Sequence, residues 1–262
     1  MKKFLKITAL LLSLLLTACL LSSCNKTEPV NGDVSNALAD GVLTVGTNAA
    51  FPPFEYLGDD GQPDGFDIAL IKLLGEKLGV KVEIQDMEFE SLCTSVGSKI
   101  DVAIAGMTVD EERELTVDFT DSYYLATQYV LVAADNTEIT DYASLTGKRI
   151  GAQLGTTGDF IAEEIEGVDL KQYSTFALAV EDLKNGNLDA VIVDKNPALV
   201  FESQAPDAIK ALDGAAFEFE DEYYAIACPE GDTALVTALN EALAAIKASG
   251  EFDALVEQYI EQ

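Results

Sequence analysis

From Gly41 onward, short β-branched runs alternate with longer segments of helical period. That alternation limits the fold most, because it is the pattern of βαβ units and a mainly parallel sheet. Residues 42–47, 80–85 and 101–105 are expected as strands. Between them Phe66, Leu70, Ile71, Leu73, Leu74 and Leu78 recur near every 3.6 residues, and a second helix is expected over 91–98. After a strand at 129–133 a new series begins, with strands at 149–153, 170–173 and 189–193 and helices at 158–165 and 177–185. A strand at 223–228 follows. The chain then has a helix over 232–248, stopped by Gly250, and a last helix over 252–260.

Two hexapeptides echo each other, Lys99-Ile100-Asp101-Val102-Ala103-Ile104 and Asn187-Leu188-Asp189-Ala190-Val191-Ile192, each after a helical segment. They indicate two related α/β lobes. In open α/β sheets ligands sit beyond the carboxyl ends of the strands, so residues 105–108 and 193–195 are expected to face a shared cleft.

The 46 acidic and 16 basic residues give a net charge of -30, which repels phosphate backbones, so nucleic acid is not expected as a partner. The sequence contains no histidine. It therefore lacks the side chain most used for acid/base work and metal ligation near neutral pH. Triads and zinc sites of the usual kinds are excluded, and no cofactor or metal is expected.

Lys2, Lys3 and Lys6 precede an apolar run over 7–21, the n-region and h-region of a secretory signal. The run is short for a membrane span, which needs about 20 residues. It ends in Leu21-Ser22-Ser23-Cys24, which resembles the lipobox of bacterial lipoproteins; that resemblance implies cleavage after residue 23 and a lipid on Cys24. Residues 24–39 read as a flexible tether, with the folded body beginning near Asp40. Loss of residues 1–23 removes three lysines and no acid, taking the charge from -30 to -33. Cys93 and Cys228 remain in the body. An oxidising compartment permits them to pair, burial as free thiols is the alternative, and the sequence leaves the choice open.

At the first candidate strand end, Gly106 allows a close backbone approach, Thr108 supplies a hydroxyl and Arg113 a planar fork suited to gripping a carboxylate. The competing reading makes Arg113 part of a solvated charged helix. At the second, Asp194 ends an apolar strand, where its charge calls for a cation such as a ligand ammonium. It is equally placed to cap the helix starting at Asn196-Pro197. An anion grip and a cation grip on opposite lobes suit a zwitterion. Phe51, Phe54 and Phe89 lie in or beside loops after strands; Phe54 reads as core.

Five stretches resemble the family 3 solute-binding proteins of bacterial polar amino-acid ABC transporters: Gly46-Thr47-Asn48-Ala49-Ala50-Phe51-Pro52-Pro53-Phe54-Glu55, Gly65-Phe66-Asp67-Ile68, residues 101–108 with Glu112-Arg113, Asp118-Phe119-Thr120-Asp121-Ser122-Tyr123-Tyr124, and Gly155-Thr156-Thr157-Gly158. The resemblance spans about residues 41–259. It implies a two-lobed periplasmic-binding-protein type II fold, α/β throughout, with two crossover hinge segments: lobe I over 40–132 and 223–262, lobe II over 133–222. It also implies roles. Phe51 and Phe89 would sandwich a free amino acid, Arg113 and Thr108 hold its carboxylate, and Gly106, with Ala105 beside it, and Asp194 hold its ammonium. Gln153, Thr156 and Thr157 would close from the second lobe. An ABC-transporter permease would be the partner, and the lipid the only membrane contact.

Two positions depart from the family pattern. Ala69 stands where a second acid is usual, which bears on the helix surface. Asn48 stands where many binders of basic amino acids have Asp, so a neutral amide or hydroxyl ligand is allowed, while Glu55 or Gln128 leaves basic ligands open. The rival readings are a receptor for signalling and a secreted dehydratase or lyase using Glu55 as acid or base.

Overall fold

The computed structural model describes residues 35–261, so the expected leader, Cys24 and most of the expected tether lie outside the described residues. The chain runs through β1 (Val42–Thr47), β2 (Ala50–Phe51), β3 (Glu55–Leu57), β4 (Pro63–Asp64), α1 (Phe66–Leu78), β5 (Lys81–Asp86), α2 (Leu92–Ser95), β6 (Val102–Ala103), β7 (Val117–Phe119) and β8 (Tyr124–Ala133). It continues through β9 (Arg149–Gln153), α3 (Thr157–Glu163), β10 (Asp169–Tyr173), α4 (Phe176–Lys184), β11 (Ala190–Asp194), α5 (Lys195–Gln204) and β12 (Ile209–Leu212). It ends with β13 (Asp221–Tyr224), β14 (Ala227–Pro229), α6 (Thr233–Ser249) and α7 (Glu251–Tyr259).

Two sheets form two lobes. The first has the order β5-β1-β6-β14-β7, with β1 parallel to β5 and β6. The second has the order β10-β9-β11-β8-β12, with β9 parallel to β10 and β11, and β13 also paired to β8. Residues 102–105 and 190–193 are buried without interruption. Since successive strand residues point to opposite faces, both faces of each sheet are covered. Val102 and Ile104 join one apolar cluster and Ala103 and Ala105 another; Val191 and Val193 are separated from Ala190 and Ile192 in the same way.

The chain passes between sheets twice, from β7 to β8 and from β13 back to β14. Strand β8 begins at Tyr124, earlier than the expected 129, and it pairs with β11 in the second sheet, so residues 124–132, expected in lobe I, belong to that sheet. Its first half opens with Tyr124 and an exposed Leu125, then alternates buried and partly exposed residues through Thr127 and Gln128, so it lacks the β-branched run that marks a strand in sequence. The single strand expected at 223–228 is two, one in each sheet. Ala225 and Ile226, both buried, carry the chain between them.

Ser35 Oγ donates to Asp232 Oδ2 at 2.7 Å, and Ala37 and Leu38 pack against the main core, so the folded body starts before Asp40. Asp232 also caps α6 by accepting the Leu235 N–H, and Gly250, at φ 81°, ends that helix. Cys93 and Cys228 are free thiols, the second fully buried. Among the described residues no helix is long and apolar enough to cross a membrane.

Candidate functional site

Between the lobes lies a narrow cleft. About 310 Å³ of space separates its walls, counted to the open mouth, and the side chains leave only about 10 Å³ of enclosed room, the space of about one water. All eleven residues singled out for a ligand line it, and Glu55 and Phe176 line it with them.

The floor begins at the end of β6. Gly106 has φ +52°, and a Cβ there would lie 2.7 Å from the Phe51 ring, so only glycine fits. Its N–H donates to Asp67 Oδ2 at 2.7 Å, and the Tyr123 hydroxyl donates to the same oxygen at 2.8 Å. Asp67 thereby joins three of the five family stretches at one carboxylate. Burial pushes its carboxyl up to about 6 against the pull of those two donors.

Arg113 is 8% exposed, so it is not a residue of a solvated helix. Nε pairs with Asp110 at 3.1 Å, Nη1 donates to the Thr108 carbonyl, and Nη2 crosses to the second lobe to meet Gly155 O at 2.9 Å. The guanidinium carbon lies 5.4 Å from the Phe89 ring centroid. Three of its five N–H groups are used, which leaves two for a carboxylate.

Asp194 closes β11 opposite Gln128 of β8 and is 6% exposed. Its side chain makes no cap bond to α5; it accepts the Tyr224 hydroxyl instead. Burial and the nearby Glu222 charge raise its carboxyl, while the Tyr224 hydrogen bond acts the other way. Glu55 is wholly buried, and neither of its oxygens is met by an N–H or O–H of another residue. Burial, then the charges of Asp67 and Asp194, hold its carboxyl well above the usual range. The cleft thus has one cationic wall, at Arg113, and an acidic base, at Glu55 and Asp194, in which Glu55 lacks a hydrogen-bond donor.

Phe51 stacks on Phe54 (centroids 5.8 Å apart, 24° between planes) and leans on Phe176 at 5.6 Å. Phe54 is core, at 1% exposure. Phe176 opens α4 just after β10. It was not singled out from sequence, although the rule that found Phe51, an aromatic following a strand, applies to it. Asn48 donates to Met87 O and accepts from Gln153 Nε2, both at 2.8 Å, which ties first lobe to second. Thr156 caps α3 by accepting the Asp159 N–H, its hydroxyl also donates to Gln153 O at 2.8 Å, and Thr157 follows on the same rim.

Residues 43–262 match the model of the bacterial extracellular solute-binding proteins, family 3. The chain is 32% identical over 222 residues to the L-cystine-binding protein TcyJ of Escherichia coli (strain K12), covering 84% of this chain and 82% of that one. It is 33% identical over 226 residues to the ABC transporter arginine-binding protein 1 of the same strain, covering 84% and 91%. Among solved structures, an ancestral arginine-binding protein bound to arginine is similar at 39% identity with a TM-score of 0.79, over 84% of this chain and 98% of that one. With a model match over nearly the whole folded body and relatives above 30% identity, the chain belongs to the bacterial extracellular solute-binding proteins of family 3.

Proposed function

We propose that this chain captures a free amino acid with a polar or basic side chain between its two lobes and delivers it to the permease of an ABC importer. The observation that carries the reading is the meeting of Arg113 and Asp194, both buried, in one cleft. A ligand carboxylate takes the two free N–H groups of Arg113 and the Thr108 hydroxyl. Its ammonium takes Asp194 and the backbone at Ala105 and Gly106, and its stem lies between Phe51 and Phe89. Asn48, Gln153, Thr156 and Thr157 close over it. The two chain crossings serve as the hinge, and the ligand's contacts to both walls favour closure. A lipid on Cys24, after loss of residues 1–23, holds the receptor at the outer face of the membrane.

Thermal-shift measurement against the twenty amino acids, ornithine, citrulline and cystine tests the reading, because a ligand held only by the folded state raises the melting temperature. A shift confined to one or a few polar or basic amino acids is expected; no shift with any overturns it. The second reading, an enzyme using Glu55, rests on that acid's place in the cleft. It requires the bound amino acid to be consumed, whereas a receptor returns it unchanged on denaturation.

A further inference from the structure

We infer that Glu222 sets how tightly the cleft holds its ligand, by competing with the ligand's carboxylate for the one hydroxyl hydrogen of Thr108. The inference rests on the amino-acid capture proposed above. Thr108 lines the cleft and its Oγ1 donates to Glu222 Oε2 at 2.5 Å, in a contact buried on both sides between residues 114 apart in sequence. Glu222 itself does not line the cleft. It sits on β13, beside the return crossing, and faces a neighbouring groove lined by Glu218, Glu220 and Asp221.

Backbone pairing holds the two together: Val109 N donates to Tyr223 O, Ala225 N donates to Met107 O, and Thr108 bridges to Tyr224. Arg113 does not relieve the competition, because it reaches the Thr108 carbonyl and not the hydroxyl. A threonine hydroxyl has one hydrogen and two lone pairs, and an ionised carboxylate only accepts. While that hydrogen points at Glu222, Thr108 offers an incoming carboxylate lone pairs alone. To grip the ligand it must turn the hydrogen into the cleft, leaving a buried Glu222 oxygen without its donor beside Asp194, whose carboxyl the Glu222 charge already disfavours as an anion. The lost bond is subtracted from the affinity, which suits a receptor that has to release its cargo.

Glu222→Gln keeps the shape and adds an N–H that donates to Thr108 Oγ1, so the hydroxyl hydrogen is free for the ligand. The test is calorimetric titration with L-arginine, L-glutamine and L-cystine of the wild type, Glu222→Gln, Thr108→Val and the double variant. The amino acid that the wild type binds is expected to be held about 3- to 10-fold tighter by Glu222→Gln, the scale of one net hydrogen bond. In the Thr108→Val background the gain is expected to vanish. Equal or weaker binding by a folded Glu222→Gln protein, or the same gain without the Thr108 hydroxyl, overturns the inference. If Glu222→Gln does not fold, Glu222→Ala takes its place: it too frees the Thr108 hydrogen, so tighter binding that vanishes in the Thr108→Val background is expected, and its absence overturns the inference. A wild type that binds no amino acid removes the capture reading itself, and this inference with it.

Discussion

Gln153 Nε2, on the second lobe, donates to Asn48 Oδ1 on the first at 2.8 Å, and the same nitrogen donates to Ser174 O. Asn48 meanwhile gives its own N–H to Met87 O. Asn48→Asp keeps the acceptor but turns that second contact into a carboxylate oxygen facing a carbonyl. The expected result is a ligand-free protein less stable by about 1–2 kcal/mol. Its preference for arginine over glutamine should rise about tenfold, because the cleft gains a negative charge. Melting curves and paired titrations check both; unchanged preference would mean that residue 48 does not face the ligand's side chain.

Arg113→Ala and Asp194→Ala should each weaken amino-acid binding by about 3–5 kcal/mol, the scale of stranding a buried charge on the partner. Titration of each variant with the ligand found by thermal shift is the check. Near-normal affinity in either sinks the clamp.

Gly106→Ala places a methyl 2.7 Å from the Phe51 ring at a backbone φ of +52°. Loss of about 1–3 kcal/mol of stability is expected from the positive φ and the crowding together. Affinity should fall as well, since Phe51 must shift away from the ligand's stem. A variant with wild-type melting temperature and affinity would show that the floor yields more easily than its packing suggests.

The free protein and its complex should respond to pH in opposite directions. The Asp67 carboxyl is raised from 3.8 to about 6 in the folded state. Its contribution to stability is therefore fully present below about pH 4 and is lost as pH rises through about 6, an effect of about 3 kcal/mol at most. Asp194 is raised as well and acts in the same direction. Carboxylates held low by partners, such as Asp189 beside Arg149, titrate below this window. Lowering pH from 7 to 5 should raise the melting temperature of the ligand-free protein, and Asp67→Asn should flatten that slope. Over the same descent affinity should fall, because a protonated Asp194 no longer attracts an ammonium. A slope unchanged by Asp67→Asn would refute the assignment.

Much of this was legible in the sequence because it is local. The period of α1, the Gly250 stop and the burial of residues 102–105 follow from neighbours along the chain. The cleft residues singled out were legible for another reason: most sit at or just beyond strand ends, and the family stretches mark all of them but Phe89, Gln153 and Asp194. What stayed hidden depends on distant partners. That the aspartate of Gly65-Phe66-Asp67-Ile68 serves the Gly106 amide and Tyr123 has no signature in its own surroundings. The contact between Thr108 and Glu222 spans 114 residues. The early start of β8 was missed because its first half has one β-branched residue, Thr127, and an exposed Leu125, so its strand conformation is fixed by pairing to β13 and β11.

Cys93 is partly exposed and stands in the crevice where Phe89, Arg113, Gly155 and Phe160 of the two lobes meet, whereas Cys228 is sealed in the first sheet. The chain therefore carries a natural attachment point at the lip of its own trap. Burial raises the Cys93 thiol, so a thiol-reactive dye would be attached there at alkaline pH, and it would be squeezed when the lobes meet and released when they part. The protein could then signal its own occupancy by light, with no engineered cysteine.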